Sequence, residues 1–446
     1  MRAVSLQAAH TDVLKPSVKE LFNPLFLNTN TPWSAFICGS QGSGKSHTLG
    51  CMLEGCLSNN SKIGKLPHPL AGMVFHYTKS AGAPCEAAGV HSGNVKTTVL
   101  CSPTNLAAMK SLYRAQPGAS AHLTVEPLYL ESSHLNIQRM ERLMAFSDNE
   151  KDPPLYMQTV RKILRGMAAR INAGLGEFDY DDFSKLIDDE DFDNKQKGPL
   201  RLRLDILESF MAPSPKPKKT TGPSGGSKKG QTGSVPPPPP PKATTMATKN
   251  IFVGSPGTLT VIDLTDPFLD TDTACRLFEI CLSEFLDKTD CGKVVALDEA
   301  HNYMSTSAPG ADIFTEKLLH TIREQRHNGA RTIISTQEPT ISSKLLDLCS
   351  MTFVHRFTSP AWFATIKAHI GGTSAAAIGS EGQNRMFEEI MALKLGESLL
   401  FSPTAAIRVE NDEVETMKGG RVKFKTRPRI SHDAGTSVLA SNSRQK

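Results

Sequence analysis

The sequence predicts an α/β fold in which helices cover both faces of a mostly parallel sheet. Short apolar runs rich in β-branched residues recur along its 446 residues, for example at 72–77, 95–101 and 258–264, and such runs are typical of buried strands. Between them lie segments whose apolar residues recur at three- and four-residue spacing, for example 273–287 and 312–327, as in helices. Strands that alternate with helices favour a parallel sheet, because the helix returns the chain to the same edge.

A glycine-rich turn lies between the apolar run 35–38 and a helix-forming run, and it matches the phosphate-binding pattern G-x-x-x-x-G-K-[ST]. The glycines let successive backbone N–H groups point at an anion, and the following helix adds the positive end of its dipole. We therefore predict a RecA-like P-loop NTPase that binds ATP and Mg²⁺. The residues assigned to the nucleotide are Gly39, Ser40, Gln41, Gly42, Ser43, Gly44, Lys45, Ser46 and His47.

Two acids complete the predicted hydrolytic site. They follow the apolar run 294–297, which reads as a buried strand. Lys45 is expected to reach the β- and γ-phosphates, and the Ser46 hydroxyl is expected to bind Mg²⁺. Asp298 is expected to help hold the metal, and Glu299 to act as general base for a water in line with the γ-phosphate. Acids after an apolar strand are common in α/β proteins, so this assignment depends on the phosphate loop.

The next apolar run, 332–336, ends at Gln337, a candidate sensor of the γ-phosphate. Arg323 and Arg326 fall on the predicted helix before it, three residues apart and therefore on one face. One of them is a candidate arginine finger for a neighbouring subunit's site. The alternative is a surface salt bridge to a nearby glutamate.

The chain divides into six predicted segments, two of which interrupt or follow the sheet with unusual composition. Seven lysines, no acid and six consecutive prolines occur in the segment before residue 250, and such a composition cannot order itself by burying apolar surface. Its polyproline run is a candidate site for a polyproline-binding partner. The segments are an N-terminal arm (1–30), the first part of the P-loop ATPase domain (31–134), a helical insertion (135–212), a disordered Lys/Pro-rich linker (213–249), the second part of the domain (250–417) and a basic C-terminal tail (418–446).

The overall composition, 39% hydrophobic and 21% charged, is that of a globular protein. No apolar run approaches the roughly 18 residues of a membrane span, and the first residues do not form a signal peptide. We expect no membrane association and an intracellular location, cytoplasmic or nuclear, with the basic run 215–219 as a candidate nuclear address. The nine cysteines are scattered without a C-x-x-C pair, so we expect reduced thiols in the core.

Residues 298–301 read Asp-Glu-Ala-His, as in the DEAH helicases. The rest of the chain differs from that family, because it contains neither the Ser-Ala-Thr strand that follows nor the arginine-rich box of a second motor domain. The separation between Lys45 and Asp298 is also far longer than in those enzymes. We therefore interpret His301 as a residue at a helix start.

The order of these motifs resembles the HerA/FtsK superfamily of ring-forming motor ATPases, and its HerA-like branch in particular. The resemblance implies the roles given above for the phosphate loop and the two acids, Gln337 as sensor, and Arg326 as the finger. It also implies a hexamer that pumps double-stranded DNA through its channel. Two features depart from the family: a short arm stands in place of the N-terminal β-barrel that docks a nuclease, and Gln-Arg-His replaces Gly-Arg-Lys around Arg326. The matching stretches are 36–48, 257–264, 294–303, 318–339, 353–357 and 395–402.

The sequence thus predicts an ATP-hydrolysing motor that translocates or remodels double-stranded DNA as an oligomeric ring. Two alternatives stay open. One is an ATP-dependent scaffold or switch protein that recruits partners through the polyproline run. The other is a DEAH-type helicase that separates strands as a monomer.

Overall fold

A twelve-stranded sheet runs through the part of the chain that the computed structural model describes. That part comprises residues 3–8, 23–64, 66–79, 83–116, 122–144, 155–212, 251–304, 308–339, 341–370, 380–410 and 413–432. The strands of this sheet are β1 (Ala3–Ala8), β2 (Asn23–Asn28), β3 (Ser34–Cys38), β4 (Ala71–His76), β5 (Lys96–Cys101), β6 (Leu123–Pro127), β7 (Thr258–Asp263), β8 (Lys293–Leu297), β9 (Ala330–Thr336), β10 (Met351–His355), β11 (Glu397–Phe401) and β14 (Val422–Lys425). Two further strands, β12 (Ala406–Glu410) and β13 (Glu413–Thr416), pair with each other.

Helices follow most of the parallel strands. The helices are α1 (Lys45–Leu57), α2 (Leu106–Arg114), α3 (Ile137–Met144), α4 (Leu155–Asn172), α5 (Tyr180–Asp188), α6 (Asn194–Ser209), α7 (Thr271–Lys288), α8 (Pro309–Arg323), α9 (Ser343–Leu348), α10 (Pro360–His369) and α11 (Ser380–Met391). Helices α3 to α6 lie between β6 and β7 in the chain, where the sequence predicts a helical insertion.

The strand order is β2-β1-β14-β11-β10-β3-β9-β8-β4-β7-β5-β6. The eight strands from β10 to β6 are parallel, and β11, β14, β1 and β2 extend the sheet with antiparallel pairs. The predicted mostly parallel α/β class is therefore confirmed. Strand β3, which leads into the phosphate loop, lies between β10 and β9, so both of its neighbours deliver residues to the same edge.

The central strands are buried on both faces. In β3, Phe36 and Cys38 belong to the apolar core on one face, and Ala35 and Ile37 to the core on the other. Residues of the helical insertion, such as Met140, join the core cluster of Phe36. Because both faces of β3 are covered, its backbone is held by packing as well as by its parallel neighbours, and the loop that follows it has a rigid base.

The predicted N-terminal arm and basic C-terminal tail are corrected by the sheet. Strands β1 and β2 fall within 1–30, and β14 falls within 418–446, where it pairs with β1 and β11. In β14 the basic residues alternate with Val422 and Phe424, which are buried. This alternation is the pattern of a strand with one buried face.

Some predicted features lie outside the described residues. These are the Lys/Pro-rich linker (213–249), its prolines, the candidate nuclear address and the part of the tail beyond residue 432. Among the helices that are described, none is both long and apolar enough to cross a lipid bilayer. All nine cysteines have free thiols, seven of them buried, as expected for a reduced core.

Candidate nucleotide-binding site

The phosphate loop joins the end of β3 to the start of α1. Gly44 caps α1 in the left-handed region with φ 106°, and no side chain bonds the first-turn N–H groups from this cap position. The first turn also contains no acidic residue. An α-helix carries a partial positive charge at this end, so the start of α1 is suited to bind an anion.

The loop is anchored to strand β10. Ser40 donates two hydrogen bonds to the carbonyl oxygen of Arg356, from its backbone N at 2.9 Å and from its hydroxyl at 2.8 Å. A Cβ added at Gly39 would lie 2.6 Å from the Cβ of His355 and 2.8 Å from the hydroxyl of Ser43. Glycine is therefore required at position 39 by the close approach of β10 and of the loop itself.

Lys45 lies inside the loop and not in solvent. Its side chain donates a hydrogen bond to the Ser40 carbonyl at 3.1 Å, and the residue is only 4% exposed. Burial lowers the pKa of the Lys45 ammonium, and the carboxylates of Glu299 and Asp298 oppose that shift. Lys45 therefore interacts electrostatically with Asp298 and Glu299. A phosphate site with a hydrolytic carboxylate places a lysine and an acid close together in this way.

Asp298 follows β8 and is fully buried beside the loop. Its backbone N donates to the carbonyl of Phe75 at 3.0 Å, which continues the pairing of β8 with β4. Burial raises the pKa of the Asp298 carboxyl to about 6, against the effect of His76. Within the described residues, Oδ1 of Asp298 and the hydroxyl of Ser43 have no hydrogen-bond partner. Unpaired buried oxygens of this kind are free to bind a cation or a ligand.

Glu299 and Gln337 form a hydrogen-bonded pair across neighbouring strands. The Gln337 amide Nε2 donates to Glu299 Oε1 at 3.1 Å. Glu299 has φ 48° in the left-handed region, a conformation that costs a residue with a Cβ roughly 1–2 kcal/mol. His301 Nδ1 lies 3.4 Å from Glu299 Oε2 and accepts from the backbone N of Gln337. The histidine of the DEAH tetrapeptide thus supports this pair, in addition to its place in a short 3-10 turn.

A buried polar cluster behind Asp298 was not predicted. His76 Nδ1 lies 3.2 Å from Asp263 Oδ1, and the Tyr113 hydroxyl donates to Asp263 Oδ2 at 2.7 Å. Burial alone would lower the pKa of His76, but the Asp263 carboxylate outweighs it and raises the pKa to about 9. A buried imidazolium therefore lies close to Asp298. The sequence signal was the single acid at the end of the apolar run 258–264.

His355, at the end of β10, lies against the phosphate loop and the start of α1. Its Nε2 lies 3.1 Å from the hydroxyl of Thr48, which also bonds the hydroxyl of Thr426 at 2.9 Å. Burial and the neighbouring Lys45 lower the pKa of His355 to about 3. The imidazole is therefore neutral, so it adds no second positive charge beside the lysine.

Ser46 and His47 occupy the first turn of α1 and are half-buried. The His47 Nε2 lies 2.8 Å from the Arg427 carbonyl, so the imidazole is turned toward the C-terminal segment. Its predicted part in nucleotide binding therefore depends on its backbone N–H. The placement of Ser46 next to Lys45 agrees with its predicted role as a Mg²⁺ ligand, which remains a prediction.

The position predicted for Arg326 is corrected. Helix α8 ends at Arg323, and Arg326 lies in the turn that precedes β9. Since β9 is parallel to β3, that turn is at the amino edge of the sheet, opposite the phosphate loop. Arg326 is exposed and does not join the other predicted site residues of its own chain. The exposed Arg356, directly after β10, lies at the same edge as the loop and was not singled out from the sequence.

Neither a protein-family model nor a curated protein matches the sequence. Among solved structures, VirB4 of Thermoanaerobacter pseudethanolicus matches with a TM-score of 0.50 and 11% identity, covering 95% of this chain and 96% of that one. The genome packaging NTPase B204 of Sulfolobus turreted icosahedral virus 2 matches with a TM-score of 0.26 and 17% identity, covering 41% of this chain and 73% of B204.

The VirB4 similarity extends over nearly the whole of both chains, and it confirms the RecA-like P-loop fold. At 11% identity this similarity is one of fold alone, and the resemblance to the HerA/FtsK superfamily rests on the sequence motifs. A fold hosts many functions, so activity and substrate depend on the residues of the site.

Proposed function

We propose that the protein is an ATP-hydrolysing motor that works as an oligomeric ring on double-stranded DNA. The observation that supports it most strongly is the arrangement of Lys45 at the start of α1 with the Glu299–Gln337 pair on adjacent strands. These are the two halves of a phosphoryl-transfer site, a phosphate cradle and a base for the attacking water. The VirB4-like fold is consistent with this proposal.

Each residue then has a role in hydrolysis. The backbone N–H groups of 39–46 bind the β- and γ-phosphates, and Lys45 neutralises their charge. Glu299 accepts a proton from the attacking water, while Gln337 orients the Glu299 carboxylate and senses the γ-phosphate. Ser46 and Asp298 are the residues that would hold Mg²⁺, and their oxygen donors suit that hard cation. The metal supplies charge neutralisation of the phosphates when it is bound.

The ring is inferred from Arg326 and from the HerA/FtsK resemblance. Because Arg326 lies at the amino edge of its own sheet, it is remote from its own phosphate loop and available to a neighbour. A finger supplied in trans would make every site depend on two subunits, which is a physical reason for assembly. A hexamer is the state that the resemblance implies.

The DNA substrate rests on the same resemblance. Part of the basic tail is occupied elsewhere, because Arg427 pairs with the buried Glu54 at 2.6 Å and Arg421 with Glu389 at 2.7 Å. We therefore assign DNA contacts to other surfaces of the ring. A scaffold or switch would not need hydrolysis, and a DEAH-type helicase would act as a monomer, so both alternatives differ from this proposal in measurable ways.

The proposal is tested by ATPase assays of the wild type and Lys45→Ala, with and without duplex DNA at low salt. We expect duplex DNA to stimulate hydrolysis in the wild type, and Lys45→Ala to lose it by orders of magnitude, because the phosphate charge is no longer neutralised. Lys344→Ala is the matched control, since that lysine is exposed and pairs with Glu316 at the surface. An ATPase that ignores duplex DNA would count against the motor, and equal loss in both variants would count against the site.

A second experiment tests the finger. We expect Arg326→Ala to lower hydrolysis by about 10³-fold or more while leaving ATP binding unchanged. Mixing Arg326→Ala with Glu299→Gln should restore activity, because each variant supplies the part that the other lacks at a shared site. Arg356→Ala is the comparison, since it lies at the carboxyl edge. Loss of activity in Arg356→Ala alone would assign the arginine to the same subunit and remove this reason for a ring.

A further inference from the structure

We infer that Leu395 and the turn around it form the contact surface for the nucleobase of the bound nucleotide. This inference rests on the proposed function, because it concerns the same site. It assigns a binding role to the start of 395–402, a stretch that carries part of the HerA/FtsK resemblance but no predicted site residue.

The direction of the nucleotide follows from the order of strands. Glu299 and Gln337, which act at the γ-phosphate, follow β8 and β9 on one side of the phosphate loop. A nucleoside triphosphate that crosses the loop with its γ-phosphate on that side must extend its nucleoside to the other side. There the sheet continues with β10 and then β11. The base is therefore expected over the ends of β10 and β11.

The turn before β11 lies at this place and touches the loop. His355 at the end of β10 pairs with Ser398, so Gly396 extends beyond the end of β10 at the edge of the loop. The Gly396 backbone N donates to the Ser43 carbonyl at 3.4 Å. A Cβ added at Gly44 would lie 3.2 Å from the Cα of Gly396. The turn is thus in direct contact with the cap residue of α1.

The turn is held in one geometry by its own hydrogen bonds. The backbone N of Lys394 donates to Glu397 Oε2 at 2.8 Å, and Thr426 N donates to the Gly396 carbonyl at 3.0 Å. Glu397 is further paired with Lys423 of β14 at 3.0 Å. A surface fixed in this way loses little entropy when a ligand packs against it.

Leu395 is the apolar feature that this turn presents. It is 72% exposed, whereas its neighbour Leu393 is buried at 1%. The flat faces of a nucleobase are apolar, and they bind to apolar side chains that a rigid scaffold holds in place. Burying Leu395 under a base removes apolar area from water on both partners. Its contact is with the base only, so it distinguishes a nucleotide from inorganic phosphate chains.

The test compares two probes, ATPγS and inorganic tripolyphosphate, in calorimetric titrations with Mg²⁺. For Leu395→Ser we expect the Kd of ATPγS to rise about tenfold, equivalent to about 1.4 kcal/mol, and the Kd of tripolyphosphate to stay unchanged. Leu395→Met should keep the Kd of ATPγS close to that of the wild type, because methionine is also apolar. Leu175→Ser is the matched control, since Leu175 is 69% exposed in the helical insertion, between α4 and α5, and should change neither value.

The possible failures are distinct. No change in ATPγS binding would overturn the base contact. An equal loss for both probes would also overturn it, because Leu395 would then support the phosphate loop and not the base. In both cases the proposed phosphate site of the wild type stands. A wild-type protein that binds neither probe would overturn the proposed function and this inference together. Thermal unfolding of Leu395→Ser should match the wild type, because an exposed leucine adds little to the core.

Discussion

Glu299→Gln is expected to stop ATP hydrolysis and to leave ATP bound. The amide cannot accept the proton of the attacking water, so the loss should be of the order of 10²–10⁴-fold, the range of a general base. Phosphate binding depends on the loop and Lys45, which this change does not touch. Glutamine is nearly isosteric with glutamate, so it is also the mildest change for a residue held at φ 48°.

The measurement is a single-turnover hydrolysis assay paired with retention of radiolabelled ATP on the protein. Glu316→Gln is the control, because that exposed glutamate pairs with Lys344 at the surface. Hydrolysis at the wild-type rate in Glu299→Gln would remove Glu299 from the mechanism. A biological role that survives without hydrolysis would favour the scaffold or switch alternative, since such a protein needs only bound ATP.

Glu54→Gln is expected to destabilise the fold by about 3–5 kcal/mol, the cost of removing one partner from a buried ion pair. Glu54 lies on α1 and is 1% exposed. It pairs with Arg427 at 2.6 Å and accepts hydrogen bonds from the backbone N of Ile430 at 3.0 Å and of Ser431 at 2.9 Å. Glutamine leaves the guanidinium of Arg427 buried without its counter-charge.

Urea unfolding followed by circular dichroism measures this effect, and Glu316→Gln is again the control. The exposed Glu316 pair should change stability by less than about 1 kcal/mol. Adding Arg427→Met to Glu54→Gln should recover part of the loss, because the buried charge of Arg427 is then removed together with that of its partner. Equal stability of Glu54→Gln and the control would mean that the C-terminal segment 426–432 does not stabilise α1.

That segment also connects the C-terminal part of the chain to the phosphate loop. The hydroxyl of Thr426 bonds that of Thr48 on α1, and the Arg427 carbonyl lies 2.8 Å from the ring of His47. A side chain at Gly50 would collide with the guanidinium of Arg429, its Cβ 2.6 Å from Cζ. Helix α1, which begins at the nucleotide site, is thus held in place by contacts with residues 426–429, which the sequence assigns to the basic tail.

The local patterns of the sequence were sufficient for the parallel part of the sheet and for most of the candidate site. Strand β8 with its two acids, β9 with Gln337 and the loop after β3 each carry a short-range signal, because a buried strand is apolar along its whole length and its polar residues begin where it ends. The hydrogen bond between Glu299 and Gln337 brings two of these predicted residues together. Their catalytic roles remain predictions.

Only the tertiary structure decided how distant segments meet. The pairing of β1 with β14, the clamp of Glu54 on Arg427 and the support of the loop by His355 join residues hundreds of positions apart. A basic composition is the same for a tail in solvent and for one whose arginines are buried against an acid, because burial depends on the partner as well as on the residue. The structure likewise decided that Arg326 lies in the turn after α8 and not on the helix, because the end of a helix depends on its caps and packing as well as on its sequence pattern.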